Sequence, residues 1–258
     1  FYLLTLGLGG VRLLVGTLYG LSPVELRGVP ASLQDSLKYD EFSKQAQFHS
    51  GVPGSGGERG AIFHGQGARD GTLAKQEILR YFQQVEHGVR KALHDTRAPL
   101  LLAGIAYLLP LYREANTYPQ LLKEEISVNP DELGKDELLA RAWALAASHF
   151  ERARDAAVER YQLLRATRPA LATNYLRAIL PAAYEGRVET LFLVAGLQQW
   201  GAFDPVSGEL ALHDQAGPRD SELFDLAAIE CIRHRGTVYA GTAAQMPEAG
   251  LLAAIMRY

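Results

Sequence analysis

Cysteine is almost missing from this chain: Cys231 is the only one in 258 residues, so no internal disulfide can form and packing alone must hold the fold. Such sparing use fits a reducing cytoplasm. Within Ala228-Ile229-Glu230-Cys231-Ile232 the thiol reads as a small buried hydrophobe. An excess of basic charge is missing too. Lys and Arg number 26 against 29 Asp and Glu, and the formal net charge of −3 excludes a global field that draws the chain onto nucleic acid. RNA contact would need a local patch or a shaped loop. No apolar run approaches the roughly 18 residues of a membrane span, so no membrane partner is expected. Phe1–Leu6 reads as a strand rather than a secretory leader, and without an initiator Met the chain is expected to be the later part of a longer protein.

What is present is patterned. Tyr2–Leu6 and Val11–Val15, split by Gly7, Gly9 and Gly10, read as a hairpin, and Val24–Val29 alternates as a half-buried strand does. Periodicity fades over 31–60, where Gly51–Gly57 is the most flexible run; residues 47–60 are expected to be mobile. From Thr72, Leu73, Ile78, Leu79, Phe82, Val85, Val89 and Leu93 recur at helical spacing. Leu100-Leu101-Leu102-Ala103-Gly104 follows as a buried central strand. Tyr107–Tyr112 begins a short helix, residues 116–129 are mixed, and Asp136 to about Ala166 forms a second long helix. Thr167-Arg168-Pro169 marks a boundary. Beyond it come helix 171–184, strands 188–194, 198–203 and 209–213, helix 221–234, and strands 237–240 and 253–258. That alternation describes a three-layer α/β domain.

The chemistry concentrates in Ile62-Phe63-His64-Gly65-Gln66-Gly67-Ala68-Arg69-Asp70-Gly71. Glycines on both sides of Gln66 open backbone conformations closed to other residues and permit close approach to a rigid surface. A following helix start would add free N–H groups and positive dipole. On pattern alone a solvated loop with an ordinary cap is the favoured reading, because glycine-rich loops are common. Other constellations are weaker. His87 and His94 lie seven apart without a carboxylate or cysteine at ligand spacing, so neither metal nor cofactor is expected. Glu124-Glu125, Asp131-Glu132 and Asp136-Glu137 read as solvated surface and helix-start charge. Arg152, Arg154, Arg160, Arg165 and Arg168 give the second long helix a basic side, a candidate for RNA phosphate or a salt-bridged face. Tyr107, Tyr112 and Tyr118 read as packing residues with hydroxyls toward the surface.

Around the Gly65-Gln66 loop the chain resembles the archaeo-eukaryotic release factor and Pelota superfamily, in particular its divergent bacterial families. There, strands lead to a Gly-Gly-Gln loop, a long helix, and a buried strand ending in Ala-Gly; here the order is strands to Val29, His64-Gly65-Gln66-Gly67, the helix from Thr72, and Leu100–Gly104. Glu185-Gly186-Arg187-Val188-Glu189-Thr190-Leu191-Phe192-Leu193 and Ala254-Ile255-Met256-Arg257-Tyr258 resemble that family's C-terminal domain. The resemblance implies an α/β, two-domain chain. Residues 1–168 would be a mixed-sheet, RNase H-like central release-factor domain, and residues 169–258 an α/β/α domain resembling the kink-turn-binding ribosomal protein fold, with a further domain before residue 1.

It further implies a cytoplasmic translation factor acting in ribosome rescue, termination-like release or ribosome protection. Its partners would be rRNA, the acceptor end of peptidyl-tRNA and a translational GTPase. Gln66, with Gly65, Gly67 and His64, would form the site, and Arg69, Arg152, Arg160 and Arg165 would contact RNA. His64 stands where the family has its first glycine, so peptidyl-tRNA hydrolysis is expected to be weak or absent. The alternative reading is an RNA-binding or RNA-processing protein that reuses the scaffold away from the ribosome. A nuclease would need clustered carboxylates.

Overall fold

Five strands lie side by side in the first half of the chain because their sequences are apolar on one or both faces. The structure, a computed structural model, describes residues 1–7, 9–38 and 70–258. The chain divides into two compact units, Phe1–Ser148 and His149–Tyr258. The first contains β1 (Tyr2–Gly7), β2 (Gly10–Gly16), β3 (Leu21–Val24), α1 (Asp70–Ala92), β4 (Leu100–Gly104), α2 (Leu108–Ala115), β5 (Leu121–Ser127) and the start of α3 (Lys135–Thr167). Strand order is β3-β2-β1-β4-β5. Neighbours β1, β2 and β3 are antiparallel, whereas β4 runs parallel to β1 and β5 parallel to β4. This is the mixed order expected of an RNase H-like domain.

The two central strands are covered on both faces, which is why they read as continuous apolar runs. Leu4, Leu6, Leu100 and Leu102 join Ile78, Phe82, Val85 and Val89 of α1, Leu93 just past its end, and Leu108, Leu109 and Tyr112 of α2 in one core. Leu3, Leu101 and Ala103 alternate with them and are equally buried. Gly104 closes β4 without a side chain because a Cβ there would lie 3.0 Å from Leu6 Cβ and 3.2 Å from its carbonyl oxygen. Two expectations shift. The strand over Val24–Val29 stops at Val24, since the chain turns at residues 27–28 with Gly28 at φ +73°. The mixed stretch 116–129 contains β5, whose Lys123, Glu124 and Glu125 suit a sheet edge rather than a buried strand. Arg113 of α2 holds that edge: it donates to the carbonyls of Leu122 (2.9 Å) and Lys123 (2.8 Å) and to Glu125 Oε2 (2.8 Å).

The second unit contains the rest of α3, a 3-10 turn at Pro169–Leu171, β6 (Ala172–Thr173), α4 (Leu176–Tyr184), β7 (Val188–Val194), β8 (Trp200–Phe203), β9 (Leu210–His213), β10 (Ser221–Glu222), α5 (Leu223–Arg233), β11 (Thr237–Gly241) and β12 (Leu252–Met256). Its main sheet has the order β11-β7-β12-β6, and a small sheet the order β10-β8-β9. Ile179, Leu180 and Ala183 of α4 and Phe224, Ala227 and Cys231 of α5 pack with Leu191, Leu252 and Ala254. A separate cluster joins Phe192, Ala253 and Ile255 to Tyr161, Val158 and Leu164 of α3. The result is helices on both faces of a sheet, the three layers expected. The helix expected from Leu171 begins only at Leu176, because Ala172-Thr173 is drawn into the sheet against Ala254-Ile255. The chain divides inside α3, before the Arg168-Pro169 position suggested by the pattern, because the later part of α3 supplies that second cluster. Among the described residues no helix is long and apolar enough to cross a membrane.

Candidate functional site

His64, Gly65, Gln66, Gly67 and Arg69 lie outside the described residues, as do residues 47–60. What the structure places is the head of α1 and its surroundings. Helical spacing groups Leu73 with the core positions, yet it is 56% exposed, and Ile105 and Tyr107, just after β4, are 40% and 50% exposed. Lys75, Ile78, Tyr107, Pro110, Leu111 and Glu114 line a groove of about 520 Å³ between α1 and α2. Its rim carries one ion pair, Lys75 to Glu114 at 3.9 Å. This shelf suits a flat apolar or aromatic surface; its lining holds no nucleophile with a base beside it. Sequence reasoning missed it by treating Tyr107 as a packing residue. The signal was Gly104 followed by Ile105 and Tyr107 beyond the strand's end.

The other two tyrosines are buried. Tyr118 donates to the Ala98 carbonyl at 2.7 Å. Tyr112 keeps its hydroxyl inside the core, contrary to the expectation of a surface hydroxyl. Burial, with the charge of Glu86 added, pushes its ionisation far above the ordinary phenol range. Glu86 is itself buried on α1. It accepts from the Thr117 N–H at 3.1 Å and from the Thr117 hydroxyl, while Arg90 donates to the same hydroxyl oxygen at 3.0 Å. These bonds tie the turn after α2 onto α1, a positioning role.

The histidine and acidic expectations resolve into pairs. His94 falls past the end of α1 and pairs with Asp95 at 2.7 Å, apart from His87. Glu125 faces Arg113, Asp131 faces Arg12 (2.9 Å) and Glu137 faces Arg141 (2.7 Å). Among the described residues no three His, Cys, Asp or Glu side chains gather at metal-binding distance.

The arginines of α3 do not share one face. At about 100° per residue Arg165 lies roughly 140° around the helix from Arg160. Arg160 forms a two-pronged pair with Glu189 of β7, which holds that carboxyl below the usual carboxylate range and raises the guanidinium's own value. Arg165 turns inward, 3.5 Å from Glu248 and donating to the Ala172 carbonyl at 3.1 Å. Arg152 is exposed on the same helix, and Arg168 is exposed just past its end.

Residues 1–148 match the family model of bacterial archaeo-eukaryotic release factor family 7. Solved structures similar to the chain include a ribosome-bound archaeal Pelota, at 16% identity and TM-score 0.44, covering 100% of this chain and 61% of that one. Another is Dom34 of S. cerevisiae, described as a translation termination-like factor involved in RNA quality control and interacting with Hbs1, at 12% identity and TM-score 0.46, covering 100% and 62%. A third is the C-terminal domain of a peptide chain release factor from Methanosarcina mazei, at 17% identity and TM-score 0.36, covering 49% and 97%. The chain thus spans about three fifths of the length of the first two. No curated protein matches it.

Proposed function

The chain belongs to bacterial archaeo-eukaryotic release factor family 7, whose model matches residues 1–148, and on that premise we propose that it is a ribosome-associated translation factor. The family match is the observation that carries the reading. It covers the unit with β3-β2-β1-β4-β5 order, followed by a separate α/β/α unit. The protein works in the cytoplasm on ribosomes that need rescue, termination-like release or protection. It contacts rRNA and the acceptor end of peptidyl-tRNA, and a translational GTPase is its delivery partner.

Gln66, between Gly65 and Gly67, is the functional tip. The flanking glycines allow the backbone to approach RNA closely. Release of a peptide also needs a positioned water and stabilisation of the oxyanion. His64 opposes this, because its Cβ disfavours the positive φ that a glycine at that position would allow. Occupying the site is therefore the main effect, with hydrolysis weak or absent.

Two assays test the reading. Co-sedimentation with ribosomes should be positive; a protein that stays in the supernatant at low salt overturns it. Peptide release from stalled complexes should be slow for the native protein and rise in His64→Gly. Rapid native release that Gln66→Ala abolishes would reverse the non-catalytic reading while keeping the ribosomal one.

A further inference from the structure

One end of the second unit's sheet gathers arginines. Arg187 immediately precedes β7 and Arg257 immediately follows β12, and the Arg257 N–H donates to the Arg187 carbonyl at 2.8 Å. Arg257 also donates from its guanidinium to the His234 carbonyl, at 2.5 Å, bringing the end of α5 to the same corner. Three carboxylates lie there, and each has its own arginine: Arg187 with Glu185, Arg233 with Glu230, and Arg160 with Glu189. Two cations remain over. Arg257 has no carboxylate in an ion pair among the described residues, although its charge helps hold Glu189 ionised. The Arg235 side chain makes no ion pair or hydrogen bond with the described residues and is exposed.

Arg235 also occupies the wrong backbone for its side chain. It sits at φ +61°, the one non-glycine residue in the left-handed region among those described. The position is the reverse turn that ends α5: the Arg235 N–H donates to Ile232 (2.9 Å) and the Gly236 N–H to Cys231 (2.8 Å). Helices closed this way take glycine, or less often asparagine, at the first of those two sites. Here the glycine stands one place later. A Cβ at Gly236 would come within 2.4 Å of Cys231 Sγ and 3.0 Å of the Val188 carbonyl oxygen. Packing accounts for Gly236. It does not account for an exposed arginine in a strained conformation, and an outlier of that kind points to a role outside the fold.

We propose that this corner is an RNA phosphate-binding site, in which Arg235 and Arg257 grip the backbone and Arg187 and Arg233 frame it. Guanidinium forks match phosphate oxygens two at a time, and all the cations that meet here are arginines. The choice of RNA over an acidic protein rests on the translation-factor reading above. The site itself rests on the geometry.

Arg235→Gly separates the two roles, because it removes the charge while supplying the residue the turn prefers. The full chain is measured against a mixed-sequence RNA duplex over a salt series, with polyglutamate as the second probe. Arg235→Gly should melt no lower than the native protein, yet its plot of log affinity against log salt should be shallower by about 0.9, the share of one phosphate contact. Arg235→Lys should keep most of the slope. Unchanged RNA binding in Arg235→Gly overturns the proposal, as does a lower melting temperature with an unchanged slope. Loss of polyglutamate binding with RNA binding intact assigns the corner to an acidic protein and overturns it too. Failure of the native protein to sediment with ribosomes would instead sink the translation reading, while the salt slope still judges the corner.

Discussion

Cys231 shows how far one residue's surroundings decide its chemistry. It is fully buried in α5, and burial pushes its thiol up to about 11, only slightly opposed by the charge of Arg257. The thiolate is the reactive form, so an aromatic disulfide reagent at pH 8 should leave the native protein unmodified and react once denaturant is added. Because the folded value lies above the unfolded one, the thiol's contribution is fully present below about pH 9. Stability should fall as pH rises from about 9 to 11, read as a decline in melting temperature that Cys231→Ala reduces. Gly104 is the converse case, where the missing side chain matters. A Cβ added 3.0 Å from that of Leu6 requires its neighbours on β1 to give way by a few tenths of an ångström, and Gly104→Ala should cost roughly 1–3 kcal/mol in denaturant unfolding.

Among the elements, α3 combines two functions that composition alone reads as one basic face. Reversing Arg152, Arg160 and Arg165 together should weaken ribosome co-sedimentation and flatten its salt dependence. The triple change mixes surface and fold, however, since Arg165 bonds Glu248 and the Ala172 carbonyl while Arg160 grips Glu189. Arg165→Gln alone should therefore lower stability by about 1 kcal/mol and leave co-sedimentation unchanged. Weaker ribosome binding in that variant, with its melting temperature intact, would return Arg165 to the interface. Edge strand β5 makes a related point. Leu121-Leu122-Lys123-Glu124-Glu125-Ile126 carries too many charges to stand out as a strand, and only the clamp from Arg113 reveals where its carbonyls lie.

For the whole molecule, the position of the division inside α3 has a measurable consequence. Tyr161, Val158 and Leu164 cover Phe192, Ala253 and Ile255 on one face of the second unit's sheet. A fragment spanning residues 149–258 keeps that layer and should unfold cooperatively. One spanning 169–258 loses it, exposes the apolar face to water, and should bind a hydrophobic dye and melt without a sharp transition. Cooperative melting of the shorter fragment would place the working boundary at Arg168.

The sequence by itself determined the elements that local pattern can specify. A continuous apolar run marked β4, largely apolar segments marked β1, β7 and β12, and three- and four-residue spacing marked α1 and α3, because side-chain periodicity follows directly from backbone geometry. Resemblance around His64-Gly65-Gln66-Gly67 and over Glu185–Leu193 pointed to the superfamily, and the family match over residues 1–148 agrees. Tertiary structure alone decided the rest. Which half of α3 serves which core, that Leu73 and Tyr107 face solvent, and that Arg165 turns inward while Arg235 is held outward at positive φ depend on partners far away in the chain. Burial, pairing and strain are properties of neighbours in space, and a linear pattern carries only neighbours along the chain.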